Sequence, residues 1–294
     1  MREIDYYELG ATLYIPILHK NLEDILSRRK YLYIKSVVIC LEDSTPLCDI
    51  PEGMSRLKEI LEDFSINSLK VFIRPRDIDN LKDILEFKNI EMVDGFALAK
   101  FGTANISEYL SIFIKQNDFY IMPILESIDV FDNSKLQIIS RELEPFRDRV
   151  LTIRVGGEDI LSMLDMMRDS SDTLYQIMPI YMVLSNIINV FRPNGFHISS
   201  VVYSSFSNIE VLEDELMEDI KHNLFNKTSI HPKQIEIIHK SYRVSSDDYE
   251  IAKNLLTTSK AIISINGRMY EKSTHSNWAK SIIKRYENYG YSDE

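Results

Sequence analysis

Two acidic positions and a glycine pair are the residues best placed by type and spacing to do chemistry together. Arg154-Val155-Gly156-Gly157-Glu158-Asp159 holds the only adjacent glycines in a chain with 9 Gly among 294 residues. It follows the apolar run Val150-Leu151-Thr152-Ile153 and precedes Ile160-Leu161-Ser162-Met163-Leu164, which reads as a helix. Asp159 therefore lies just past a strand end, on a turn with no side chains to block a ligand. Glu126 stands in the same relation to the apolar run at 119–125. Two carboxylates at the carboxyl ends of neighbouring parallel strands suit one hard cation, and Mg²⁺ held by one or two carboxylates plus substrate oxygens is a usual arrangement. The competing reading is a solvated strand-to-helix turn whose Asp caps the helix.

The elements that must position these acids alternate along the chain. Apolar strands are expected at 11–16, 37–41, 70–75, 93–100, 119–125, 150–155, 196–203 and 227–230, with amphipathic helical stretches between them. Helices are expected at 21–33, 51–64, 78–87, 107–116, 134–143 and 210–223, with helical segments across 160–191. This alternation implies right-handed βαβ units and a parallel sheet. About eight units in roughly 250 residues predict an α/β fold of the closed (β/α)₈ TIM-barrel type. The open doubly wound sheet is the alternative, but its Gly-rich fingerprint is missing after the first strand. The expected division is a catalytic barrel domain at 1–243 and a C-terminal helical extension at 244–294. The extension reads as one helix, a turn at Asn266-Gly267 and a last helix around 278–286.

In such a barrel the chemistry gathers at the carboxyl ends of the strands. Strand two ends in Glu42-Asp43, strand three in Arg74, strand four in Lys100, strand five in Glu126, and strand six runs into Glu158-Asp159. An Arg beside a cation is suited to grip a carboxylate bidentately. The remaining polar groups have blander readings. His231 before Pro232 closes the last strand, and His19 is a weak contender for substrate contact. The Tyr and Met residues fall at core spacings, and the acid-rich helix at 210–223 reads as solvated.

Composition narrows the class. Hydrophobic residues make up 45% and charged residues 27%, and the formal net charge is −11 with no basic cluster, which argues against nucleic acid as a partner. Cys40 and Cys48 form neither a zinc site nor a disulfide framework. The start, Met1-Arg2-Glu3-Ile4-Asp5, is unlike a signal peptide, and no apolar run approaches the roughly 18 residues that cross a membrane, so a cytoplasmic protein without membrane partners is expected.

Six motifs together carry a resemblance. Leu41-Glu42-Asp43-Ser44-Thr45-Pro46, Ile73-Arg74-Pro75, Ala99-Lys100, Pro123-Ile124-Leu125-Glu126-Ser127, Val155-Gly156-Gly157-Glu158-Asp159 and Ser229-Ile230-His231-Pro232-Lys233-Gln234 resemble, in order, those of the citrate lyase β-subunit family. That family belongs to the HpcH/HpaI aldolase superfamily. The opening Gly10-Ala11-Thr12-Leu13-Tyr14-Ile15-Pro16 is similar to the branch found in bacterial tellurium-resistance gene clusters.

The resemblance implies a TIM barrel that cleaves or forms a carbon–carbon bond with bound Mg²⁺. It implies Glu126 and Asp159 as metal ligands and Arg74, Glu42 and Asp43 as catalytic residues. Arg74 would also bind substrate, with Lys100, Gly156 and Gly157. The substrate would be a small keto acid or its adduct, and the protein a homo-oligomer, a trimer by resemblance, with the C-terminal extension on a neighbouring subunit. Two departures bear on this. Relatives acting on thioesters open with Arg-Ser and then Pro-Gly around the first strand, and here Ile17-Leu18-His19 stands in that region, which weakens the case for coenzyme A or an acyl carrier. The seventh strand lacks the acid often found there. The alternatives are a Mg²⁺-dependent acyl-CoA thioesterase or malyl- or citramalyl-CoA lyase on the same site, and a non-catalytic ligand-binding partner in a stress-resistance system.

Overall fold

Strands and helices alternate as expected in the computed structural model, which describes residues 2–292. Met1, Asp293 and Glu294, the outermost residues of the two expected domains, lie outside it. In chain order the first part runs β1 (Ala11–Pro16), α1 (Leu22–Leu26), β2 (Ser36–Cys40), α2 (Ile50–Asp63), β3 (Lys70–Arg74), α3 (Ile78–Leu85), β4 (Gly95–Leu98) and α4 (Ile106–Lys115). It continues through β5 (Tyr120–Leu125), α5 (Asn133–Leu143), β6 (Arg154–Val155), α6 (Gly157–Met163), α7 (Met178–Phe191), α8 (Ile209–Lys221), β7 (Lys227–Ser229) and α9 (Pro232–Ser241). Every residue of β2, β4 and β5 is buried, as parallel strands covered on both faces must be.

The sheet has the order β6-β5-β4-β3-β2-β1-β7, with every pairing parallel. Its two ends are joined through the seventh position, where parallel bridges link Ile153 to Ile198 and Ser200 to Lys227. The amides of Ser199 and Ser200 donate to the carbonyls of Ile153 (2.9 Å) and Asn226 (2.8 Å), so the ring is continuous. The strand expected at 196–203 is thus reduced to two bridges. Its later carbonyls are taken elsewhere: Gln234 Nε2 donates to Tyr203 O at 2.9 Å and to Ser205 O at 3.0 Å.

Three further expectations are corrected. The helix expected at 21–33 stops at Leu26, because Arg28 and Tyr31 adopt left-handed backbone (φ 60° and 51°) and the Arg28 side chain ties the carbonyls of Leu32 and Ile34 into a turn. Several methionines read as packing are exposed, among them Met163, Met166, Met167, Met178 and Met182. The acid-rich α8 is not solvated on all sides, since Glu215 and Asp219 are fully buried. Lys227 Nζ, equally buried, donates to Glu215 Oε1 (2.8 Å), Asp219 Oδ2 (2.9 Å) and Ser200 Oγ (3.0 Å). Arg168 pairs with Glu215, and the Tyr175 hydroxyl donates to Asp219 Oδ1 at 2.7 Å. Two cations thus offset two anions inside the barrel wall. This network pins α8 to the seventh and eighth strand positions.

Packing divides the chain into two compact units, Met1–Ile235 and Glu236–Glu294, the division falling within α9. The second unit holds α10 (Ser246–Thr257), β8 (Ile262–Ile265), β9 (Arg268–Glu271) and α11 (Lys272–Tyr289). Its core is formed by Val244, Ile251, Ala252, Leu255, Tyr270, Ala279 and Ile282. The turn expected at Asn266-Gly267 closes an antiparallel hairpin, with both residues at positive φ (49° and 74°) as a two-residue primed turn requires. Among the described residues no helix is long and apolar enough to cross a membrane.

Candidate active site

The rim residues converge. Arg74, the last residue of β3, sends Nη2 to Glu42 Oε2 (2.7 Å), Glu126 Oε1 (3.1 Å) and Asp43 Oδ2 (3.4 Å). Lys100 Nζ meets Glu42 Oε1 at 2.8 Å and Asp43 Oδ1 at 3.7 Å. The Lys100 backbone is left-handed (φ 50°), and its amide donates to Glu126 Oε1 at 2.8 Å while Asn105 Nδ2 holds its carbonyl at 3.0 Å. The Arg74 and Lys100 contacts to Glu126 both fall on Oε1, leaving Oε2 for a ligand.

The glycine pair is required by two different neighbours. A Cβ at Gly156 would stand 2.2 Å from Glu126 Oε2, and one at Gly157 would stand 2.2 Å from Val201 Cγ1. Gly156 therefore makes room for the acid, and Gly157 lets α6 close on the seventh wall. Glu158 is exposed, and Asp159, half-buried in the first turn of α6, faces the pocket. That pocket, ≈ 440 Å³, is also lined by Asp43, Arg74, Glu126, Gly156 and Gly157, which the sequence reading singled out. Lys100 and Glu42 stand outside that lining, paired with each other, and Lys100 also reaches Asp43. Tyr14, Arg154 and Thr228 line the pocket as well, and sequence reasoning gave them no role. The signal for Arg154 was there: it is a charged residue inside an apolar strand. His19 accepts the Asn21 amide at 3.2 Å, and His231 accepts the Lys233 amide at 3.2 Å and stacks on Phe206, a structural role.

Charge is unevenly shared among the acids. Burial pushes Glu126 up to about 7, and the nearby Asp159 carboxylate adds to this against the pull of Arg74 and the Lys100 amide. Burial also opposes ionisation of Glu42, but its hydrogen bond with Asp43, the Arg74 charge and Lys100 outweigh it and bring Glu42 down to about 2. Asp43 is raised to about 6 by burial and by the Glu42 carboxylate beside it. Of the two, Asp43 is the one that takes a proton first as pH falls.

The donor set fits a hard divalent ion. Among the described residues no group of three His, Cys, Asp or Glu side chains is placed to hold a metal ion, so water and substrate oxygens would have to complete the shell of an ion held by two carboxylates. The Asp159 carboxylate raises Glu126 from across the pocket despite Arg74, and Glu126 keeps one oxygen open. Two carboxylates with room for water and substrate oxygens match Mg²⁺.

No curated protein matches the chain in sequence. Solved structures of similar fold include a citrate lyase from Burkholderia xenovorans, with a TM-score of 0.76 and 14% identity over 97% of this chain and 94% of that one. The CitE protein of Mycobacterium tuberculosis, in complex with magnesium, acetoacetate and coenzyme A, gives a TM-score of 0.68 and 17% identity over 96% and 99%. The citrate lyase β subunit from the same organism, complexed with oxaloacetate and magnesium, gives 0.59 and 16% identity over 82% and 100%. At these identities the likeness is one of fold. The family of carbon–carbon bond lyases of the TIM-barrel fold matches residues 3–291, nearly the whole chain, and the protein belongs to it.

Proposed function

We propose that this lyase acts on a small keto acid or its hydroxy-acid adduct, with Mg²⁺ held by Glu126 and Asp159. The observation that carries this reading is Glu126: buried, fixed through Oε1, open at Oε2, and raised to about 7 beside a second carboxylate. Fold neighbours solved with magnesium and oxaloacetate or pyruvate support it.

Mg²⁺, when bound, supplies a positive centre that stabilises charge developing on the keto oxygen. The chain's own residues do the rest. Arg74 Nη2 is occupied by carboxylates, while its Nε has no partner, so the guanidinium keeps donor capacity for a substrate carboxylate. Lys100 and Arg74 keep Glu42 ionised and in place. Asp43 takes the proton from the substrate hydroxyl as the carbon–carbon bond breaks; the hydroxyl carbon becomes the carbonyl of the keto acid, and the bond's electron pair leaves with the other half, which then takes up a proton. Gly156 and Gly157 let backbone approach the substrate without side chains in the way.

Mg²⁺-loaded protein incubated with short hydroxy acids should release pyruvate, oxaloacetate or glyoxylate, read by a coupled dehydrogenase. Asp43→Asn should lower kcat by about 100-fold or more. Because the base acts as its carboxylate, the wild-type rate should fall as pH drops through about 6, and the variant should lose that limb. No keto-acid release from any member of the series would sink the reading. The coenzyme A bound to the Mycobacterium CitE protein favours one alternative, a thioester substrate. Thiol release from acyl-CoA without keto-acid release would establish that instead. We also propose a cytoplasmic homo-oligomer, to be checked by light scattering with and without residues 245–294.

A further inference from the structure

Arg154 opens β6, where it is in register with Ile124 of β5. Glu126 lies two residues beyond Ile124, on the same inward face, about 7 Å nearer the barrel mouth by strand geometry. From its lower level Arg154 crosses the barrel interior. Its Nη2 donates to Thr12 Oγ1 of β1 at 2.9 Å, and its Nη1 donates to Thr228 Oγ1 of β7 at 3.1 Å. Nε points at Met122 Sδ, 3.4 Å away, and the guanidinium carbon stands 5.4 Å from the centre of the Tyr14 ring.

This is an unusual environment for a charge. Arg154 is 2% exposed, yet among the described residues no carboxylate lies within ion-pair distance of it. The other buried cations of the barrel are paired: Lys227 with Glu215 and Asp219, Arg168 with Glu215, and Arg74 with Glu42 and Glu126. The charged side chain of another residue that bears on Arg154 is a second cation, Arg74. A buried guanidinium facing only hydroxyls and a thioether is costly to keep. Of its five N–H groups three are engaged, which leaves one on each terminal nitrogen. The residue also lines the same pocket as Glu126 and Asp159.

We infer that Arg154 is the floor of an anion subsite and that the substrate is a dicarboxylate, one carboxylate at the rim near Arg74 and the metal ligands, the second on Arg154. This rests on the reading of the rim as a keto-acid site. It names what that reading leaves open, the chemistry of the substrate's far end. The depth of one pleat between Arg154 and Glu126 suits a short-chain diacid lying along the barrel axis. A keto acid with one carboxylate fills the rim and leaves the Arg154 charge uncompensated.

Calorimetric titration of the Mg²⁺-loaded protein with pyruvate, 2-oxoglutarate and succinate tests this. The wild type should bind the keto diacid at least about 30-fold tighter than the monoacid. Arg154→Met should abolish that preference while leaving Mg²⁺ and pyruvate affinity unchanged. Arg154→Lys, which keeps the charge without the planar fork, should retain only part of it. Equal wild-type affinity for monoacid and diacid overturns the inference, as does a preference that survives Arg154→Met. Should Arg154→Met fail to fold by circular dichroism, the wild-type comparison alone decides. Succinate separates the two claims, because it has both carboxylates and no keto oxygen. Succinate binding that is lost in Arg154→Met, together with pyruvate binding that does not depend on Mg²⁺, keeps the subsite and discards the metal reading. Mg²⁺-dependent pyruvate binding with no preference for diacids does the reverse.

Discussion

Lys227→Met should lower the stability of the protein by about 3–5 kcal/mol, measured by urea unfolding at neutral pH. The lysine is fully buried and is shared by Glu215 and Asp219 at 2.8 and 2.9 Å. Methionine keeps the apolar stem but leaves two carboxylates facing one guanidinium, and an uncompensated buried charge is among the most destabilising changes available. A second variant identifies the cause. Lys227→Met combined with Asp219→Leu removes one cation and one anion together, so it should recover most of the loss, as exchanges of a whole buried pair for apolar groups commonly do. A single variant that loses less than about 1 kcal/mol, the range of an exposed pair, would show that the network is not what holds α8 to the barrel wall.

Glu126→Gln should abolish measurable Mg²⁺ binding and lyase activity while leaving the far-ultraviolet spectrum unchanged. Its effect on the pH dependence of stability is more specific. In the metal-free wild type the folded carboxyl titrates near 7, above its ordinary value of 4.5. Between those values the folded state keeps a proton that the unfolded state has released. Stability should therefore fall as pH rises from about 4.5 to 7 and level off above, by an amount on the order of 3 kcal/mol. Gln cannot ionise, so this slope should vanish in the variant. In the wild type Mg²⁺ competes with the same proton, and its affinity should climb about tenfold per pH unit below 7 and flatten above it. Identical slopes in the two proteins, or Mg²⁺ affinity unchanged by the substitution, would refute the assignment.

Much of this was legible in the sequence because parallel barrels write their strands as short apolar runs and their chemistry just after them. Glu42, Arg74, Lys100 and Glu126 each end or follow such a run, and in the structure each acid meets both Arg74 and Lys100 by an ion pair or a hydrogen bond. The spacing of acids in α8 gave the opposite impression. Glu215 and Asp219 are four residues apart, on one helix face, but nothing in their neighbourhood says that the face turns inward to meet a lysine on β7. The seventh strand failed for a related reason. Its residues have strand character, but a distant side chain, Gln234, takes the carbonyls that would have continued the ladder. The hairpin at 262–271 could have been found from Asn266-Gly267 between two alternating runs. Arg154 stands out locally as a charged residue in an apolar strand, but its place required knowing which residues lie across the barrel from it, and no local pattern supplies that.

Lys100 touches its acids by different means, Glu42 and Asp43 with its ammonium group and Glu126 with its peptide N–H. A scan that trims side chains one at a time will read only the first of these. Lys100→Ala keeps the amide donor, so Glu126 keeps its hold even as Glu42 loses a partner, and the residue will score as a modest charge contact. The contact to Glu126 belongs to the main chain and to the left-handed bend that aims it. As far as Glu126 is concerned the side chain at this position can change, subject to tolerance of that bend, which suits Gly and Asn best. Proline is the one residue barred outright, because it has neither the N–H nor the required φ.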